Sequence, residues 1–204
     1  MAVDPRDRHD FGCSLCRVRI EGRVEHLNIL GAIIAGGQAR RFGADKASAL
    51  LVGRCLLDHV ADAMRPQVEA LIVVGRNWPG LDTVADRPPG ALGPLAGLNA
   101  ALHHARIHGL DGVLSAGCDT LPVPVDLAAQ LVGAQPAYLE GHFLIGWWPT
   151  RLADLIDEHL GEDNDRSLRG WIARCSARAK PAPTALHNLN TPADLARYER
   201  MNAS

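Results

Sequence analysis

Apolar and polar positions follow two rhythms along the chain, and their alternation predicts the elements. A β-branched run ending in Ile33, Ile34 and Ala35 is apolar at consecutive positions, as in a strand covered on both faces, and it breaks at Gly36-Gly37. Leu56, Leu57, Val60, Ala61 and Met64 then recur at helical spacing, predicting a helix over 54–65 that Pro66 stops. A second buried strand reads at 70–75 (ALIVVG), at a distance from the first that suits a crossover helix between parallel neighbours.

The same rhythms continue towards the C-terminus. A short strand is expected at 83–85. After a turn of prolines and glycines, Pro94 suits the first position of a helix whose Leu95, Leu98, Leu102 and Ala105 share a face. GVLSAG at 112–117 reads as a strand, 125–131 as a helix, and 138–139 with 143–148 as a hairpin around Glu140-Gly141-His142. Helices are expected at 151–160 and 167–177, joined by a solvated acidic loop, and a last strand at 185–189. Asn190-Thr191 then leads into a helix with Pro192 at its first position and Asp194 at the capping-box position. Strands alternating with helices predict a three-layer α/β fold, its sheet mostly parallel with one antiparallel strand.

Size and composition narrow the class. The 204 residues suffice for one buried core, so we expect a single domain over residues 29–204 behind a poorly ordered N-terminal extension at 1–28. A formal net charge of −2 removes any broad electrostatic case for nucleic acid or an anionic membrane, so the positive charge that matters is local. No apolar run approaches a spanning helix, and MAVDPRDRHD lacks the apolar centre of a signal peptide, so the expected location is cytoplasmic. Five cysteines, an odd number, fit a reducing compartment. Cys13 and Cys16 with His9 and His26 would supply four zinc donors, but one CxxC without a second pair is a weak signal, and the segment reads as an arm before the first strand.

Candidate chemistry gathers at strand ends. Gly36-Gly37 lets main-chain N–H groups approach a ligand, and Arg40, Arg41 and Lys46 can neutralise phosphate oxygens around it. Neither G-x-G-x-x-G nor G-x-x-x-x-G-K-[ST] fits the spacing of Gly37, Gly43 and Lys46, which excludes both common phosphate loops. Asp119 follows the 112–117 strand at the edge where open α/β sheets bind ligands. A carboxylate there can hold Mg²⁺ against nucleotide phosphates, although Asp119 taken alone reads sooner as a turn or helix-capping residue. Cys118 reads as a small buried apolar residue rather than a nucleophile. His103-His104 point in different directions on their helix, and His59, His142 and His187 are scattered, so no histidine is assigned a catalytic role.

Four blocks in order resemble the molybdenum cofactor guanylyltransferase family. IIAGGQARRFGADK (33–46) matches its opening motif through Gly36, Gly37, Arg41, Phe42, Gly43, Asp45 and Lys46; GPLAGL (93–98) matches its GPLAG block; CDTLP (118–122) resembles its CD-x-P segment; and NLNTP (188–192) resembles its closing motif. The resemblance implies a Rossmann-like nucleotidyltransferase fold and transfer of GMP from GTP to the terminal phosphate of Mo-molybdopterin. It also implies that Asp119 holds Mg²⁺, that Lys46 and Arg41 act with it on the triphosphate, and that Ile34, Ala35, Gly36, Gly37 and Asp86 contact GTP. An Asn contact after the second strand maps to Asn77 or falls on Gly75. Asn188 and Asn190 are implied on the pterin side, and molybdenum-insertion proteins or molybdoenzyme apoproteins as partners. Two other readings stand beside this one: a cytidylyltransferase using CTP on the same pterin, and a non-catalytic nucleotide-binding module of the same fold.

Overall fold

The computed structural model describes residues 17–20, 23–36, 45–90, 93–161 and 166–202. Two strands, β1 (Arg17–Ile20) and β2 (Arg23–His26), pair antiparallel ahead of the main sheet, within the segment expected to be an arm. The chain then forms β3 (Ile29–Ile34), a short hairpin of β4 (Leu50–Leu51) and β5 (Arg54–Cys55), α1 (Leu56–Met64), β6 (Ala70–Val74), β7 (Asp82–Val84), α2 (Pro94–Ile107) and β8 (Gly112–Gly117). It continues through β9 (Thr120–Leu121), α3 (Leu127–Leu131), β10 (Ala137–Leu139), β11 (His142–Pro149), α4 (Ala153–Gly161), α5 (Leu168–Cys175), β12 (Arg178–Lys180), β13 (His187–Asn188) and α6 (Pro192–Asn202).

Seven strands form the main sheet in the order β12-β10-β11-β8-β3-β6-β7. Only β11 among them runs against the rest, antiparallel to both β8 and β10, so the expected mixed sheet is present. Side chains alternate across the central strand as the pleat requires. Ile29 and Ile33 pack into a core half with α1 and α3, and Leu30, Ala32 and Ile34 into the half covered by α2, α4 and α5. All six residues of β3 are buried, which accounts for its unbroken apolar sequence.

The departures from expectation lie at edges. β12 went unread because its three residues are all exposed and polar or small, which protects an edge strand from further pairing. The preceding helix ends at Cys175, and Ser176 turns left-handed at φ +53° to launch it. The strand expected at 185–189 shrinks to β13, which pairs not with the main sheet but antiparallel with β9. Cys13, Cys16, His9 and the acidic stretch at 162–165 lie outside the described residues.

Candidate active site

The strand order fixes the order of groups along the C-terminal edge of the sheet. From one side to the centre come Asp86 beyond β7, Arg76 beyond β6, Gly36 beyond β3 and Asp119 beyond β8; Leu144 follows on β11. These residues, with Ile34, Ala35 and Lys46, line one cleft of about 230 Å³. A neighbouring recess of about 580 Å³ shares Arg76 and Asp86 and adds Asn77, Thr83 and Pro89. Together they offer the volume expected of a small-molecule site, at the edge expected of an open α/β sheet.

Lys46 is the centre of the cleft. It opens the short 3₁₀ turn Lys46–Ser48, capped by the Asp45 carboxylate accepting from Ala47 N–H at 3.3 Å. The Lys46 ammonium donates to Asp119 Oδ2 and, at 2.6 Å, to Asn190 Oδ1. With Lys46 and Asp119 side chains only 17% and 25% exposed, their attraction is less screened than that of a surface pair. Lys46's own block and two others, 73 and 144 positions further on, thus meet at one ammonium group.

The closing block is fastened to the Asp119 strand end. Asn188 pairs with Thr120 in the β9–β13 ladder, Leu189 N–H donates to Asp119 O at 2.8 Å, and Thr120 Oγ1 donates to Asn188 Oδ1 at 2.7 Å. Beyond it, α6 starts with the expected capping box. Thr191 N–H donates to Asp194 Oδ2 at 3.0 Å, and Asp194 N–H donates to Thr191 Oγ1 at 3.1 Å. Asn190 is held in place by this cap, since its own N–H donates to the same carboxylate at 3.2 Å.

On the other flank two backbones touch. A Cβ on Gly75, which has φ +87°, would lie 2.4 Å from Gly36 Cα, and one on Gly36 would lie 2.9 Å from Asp86 Oδ2. Only glycine allows this approach. It packs the Asp86 carboxyl against bare main chain, and burial pushes the Asp86 pKa up. Next to it Arg76 Nε donates to Ala35 O at 3.0 Å, and its Nη1 donates to Asp45. The Arg76 hydrogen bond holds Asp45 below the usual carboxylate range, against the opposing effect of burial.

The structure brings Ile34, Ala35, Gly36, Lys46, Asp86 and Asp119 into one cleft. Asn190 reaches it through Lys46. Asn77 stands in the neighbouring recess, its Oδ1 accepting from Thr83 Oγ1 at 3.2 Å, while Gly75 forms the contact with Gly36. Asn188 lies behind Asp119 on Thr120. Gly37 and Arg41 lie outside the described residues. Sequence reasoning missed Arg76 and Leu144. Arg76 follows a strand in no motif, and its one legible signal was a cation just past a buried run, at the ligand-binding edge. Cys118 is buried, which pushes its thiol up to about 12, so it is protonated and unreactive at neutral pH.

Among the described residues no three His, Cys, Asp or Glu side chains are grouped to hold a metal. Asp119 alone is the kind of site that fits Mg²⁺, which takes one or two carboxylates and completes its shell with phosphate and water. Among the described residues no helix is long and apolar enough to cross a membrane.

Residues 31–179 match the family model described as the MobA-like NTP transferase domain. A Rhodobacter capsulatus protein named molybdenum cofactor guanylyltransferase is 37% identical over 190 residues, covering 87% of this chain and all of its own length. One of the same name from Cereibacter sphaeroides is 38% identical over 191 residues, covering 86% of this chain and 97% of its own. Among solved structures, the molybdopterin-guanine dinucleotide biosynthesis protein A of Archaeoglobus fulgidus superposes with a TM-score of 0.68 at 21% identity, covering 85% of this chain and 98% of that one.

Proposed function

Because this chain belongs to the MobA-like NTP transferase domain family, we propose that it transfers GMP from GTP to the terminal phosphate of Mo-molybdopterin, giving the guanine dinucleotide cofactor and pyrophosphate. The observation that carries the reading is the Lys46 ammonium shared by Asp119 and Asn190, which unites three of the family's sequence blocks at one point in the cleft. The names of the relatives supply the substrates.

The reaction brings two anions together. An oxygen of the acceptor phosphate bonds to the α-phosphorus of GTP while the bond from that phosphorus to the bridging oxygen breaks, and pyrophosphate departs with the electron pair. A phosphate monoester has its second pKa near about 6, so at neutral pH the attacking oxygen is largely deprotonated and no side-chain base is required. The protein's part is alignment and neutralisation. Asp86, with Gly36 and Gly75 beside it, forms the base end, where a carboxylate can accept from guanine N1–H and the exocyclic amine. Arg76 and Lys46 stand next along the edge as cations for the triphosphate, and the family resemblance adds Arg41 to them. Asp119 would hold Mg²⁺, which would supply positive charge against the phosphates as the transfer proceeds. Asn190 keeps Lys46 turned into the cleft, and Asn188 supports the Asp119 strand end on the pterin side.

The test is direct. The purified protein, Mg²⁺ and Mo-molybdopterin are incubated with labelled GTP or CTP; label from GTP enters the pterin product with release of pyrophosphate. Transfer from CTP exceeding that from GTP overturns the guanine assignment, and transfer at full rate with chelator present overturns the metal requirement.

A further inference from the structure

We propose that Asn99 is a positioning residue for guanine: lining no part of the cleft itself, its side-chain amide fastens the residue after Asp86 to α2 and α4, and so holds the Asp86 carboxyl where the base can use it. The proposal rests on the guanylyltransferase reading above, with Asp86 at the base end.

The Asp86 carboxyl lies against bare main chain at three glycines. A Cβ on Gly36, Gly75 or Gly97 would stand 2.9, 3.2 or 3.4 Å from the nearer of its oxygens. No side chain among the described residues grips it, and burial alone acts on its pKa, so its place is set by the backbone on either side. That backbone is pinned. Two residues before Asp86, Val84 O accepts from Gly75 N–H at 2.9 Å. One residue after it, Arg87 N–H donates to Ala96 O at 3.1 Å, and Arg87 O accepts from Asn99 Nδ2 at 3.1 Å. Consecutive Cα atoms are fixed about 3.8 Å apart, so whatever moves Arg87 moves Asp86.

Asn99 serves two acceptors at once. It is fully buried on α2, and Nδ2 also donates to Asp157 Oδ1 on α4 at 2.7 Å. Neither a carbonyl nor a carboxylate oxygen can donate in return, so the orientation of the amide is fixed, and Asn99 Oδ1 has no partner among the described residues. Asp157 is itself anchored. Arg87 Nε and Nη2 donate to its two oxygens at 3.2 and 3.0 Å, and His103 Nε2, one turn along α2 from Asn99, stands 2.9 Å from its Oδ2. An apolar side chain would fill the same space without leaving a buried oxygen unpaired, so packing does not account for an amide at this position. What the amide adds is a tie between the carbonyl beside Asp86 and the carboxylate of α4.

Selectivity between GTP and ITP tests the tie, because the hypoxanthine of ITP keeps N1–H but lacks the amino group. Steady-state transfer to Mo-molybdopterin should give the wild type a kcat/KM for GTP at least fivefold above that for ITP, and Asp86→Ala should erase the difference. Asn99→Leu, similar in bulk but without a donor, should cut the ratio at least threefold, the loss falling on KM for GTP while KM for Mo-molybdopterin holds within twofold. Val113→Ala, buried in the same half of the core at the end of β8 away from the cleft, should lower Tm and keep the ratio. If Asn99→Leu does not fold, Asn99→Ser, whose single hydroxyl hydrogen can serve only one of the two acceptors, is judged by the same threefold fall. A folded Asn99 variant whose ratio falls less than threefold overturns the proposal, as does a parallel rise in both KM values or an equal fall in Val113→Ala. A smaller preference in the wild type, or one that survives Asp86→Ala, takes guanine off Asp86 and the proposal with it. A wild-type protein that transfers no GMP would instead overturn the function beneath both.

Discussion

Gly75→Ala isolates the backbone contact on which the base end of the cleft depends. The added methyl would sit 2.4 Å from Gly36 Cα, 2.7 Å from Gly36 N and 3.2 Å from Asp86 Oδ1, at a residue whose φ is +87°. Two costs combine. Left-handed backbone costs a non-glycine residue about 1–2 kcal/mol, and forcing an extra carbon into a packed contact costs about 1–3 kcal/mol more. Gly80→Ala separates them, because Gly80 also has a positive φ, +76°, but a Cβ there meets nothing within 4 Å. For a chain of this size each kcal/mol moves Tm by about 2–4 °C, so Gly75→Ala should melt about 2–12 °C below Gly80→Ala in a calorimetric scan. The displacement should also appear in function. A shift of about 1 Å at the nucleotide loop can cost about a hundredfold in rate, so kcat/KM for GTP should fall ten- to a hundredfold in Gly75→Ala and hold within twofold in Gly80→Ala. Equal Tm and equal kcat/KM in the two variants would refute the contact and the placement of GTP against it.

Asp119→Ala should abolish transfer while leaving the circular dichroism spectrum unchanged; undiminished pyrophosphate release would mean the metal is held elsewhere. Arg76→Ala removes a cation that no sequence block announced, and should raise KM for GTP about ten- to a hundredfold, the worth of one charged hydrogen bond of about 1.5–3 kcal/mol; an unchanged KM would place the triphosphate off that side of the cleft. Behind Asp86, burial pushes the Asp157 pKa up, but hydrogen bonds from Arg87 and Asn99 and the charge of His103 outweigh it and hold the group at about 2. A carboxylate depressed in the folded state stabilises above its unfolded pKa of about 3.9, and that stability is lost as pH falls from about 4 to 2. Because Asp157 is 35% exposed and Arg87 52%, screening limits the effect to about 1 kcal/mol. Urea midpoints at pH 7 and pH 3 should therefore converge in Arg87→Ala relative to wild type, and an undiminished difference would remove Arg87 as the cause.

What the chain determined locally was legible in its sequence. Apolar periodicity gave β3, β6 and β8 almost to the residue, because strands buried on both faces are nearly unbroken apolar runs, with Ser115 the one polar residue among them. Proline placed the starts of α2 and α6 for a reason equally local, its fixed φ and missing N–H. The ordered blocks named Lys46 and Asp119, and the resemblance they carry implied Asp86. Tertiary structure alone decided the rest. Arg76 became a cleft residue only because β6 stands beside β3, and Gly75 became indispensable only because Gly36 touches it. Asn190 reached Lys46 across 144 positions through the pairing of β13 with β9. Local rules fix φ, ψ and the face a side chain takes. Which strand ends stand side by side depends on how the whole sheet is wound, and that order assembled the site.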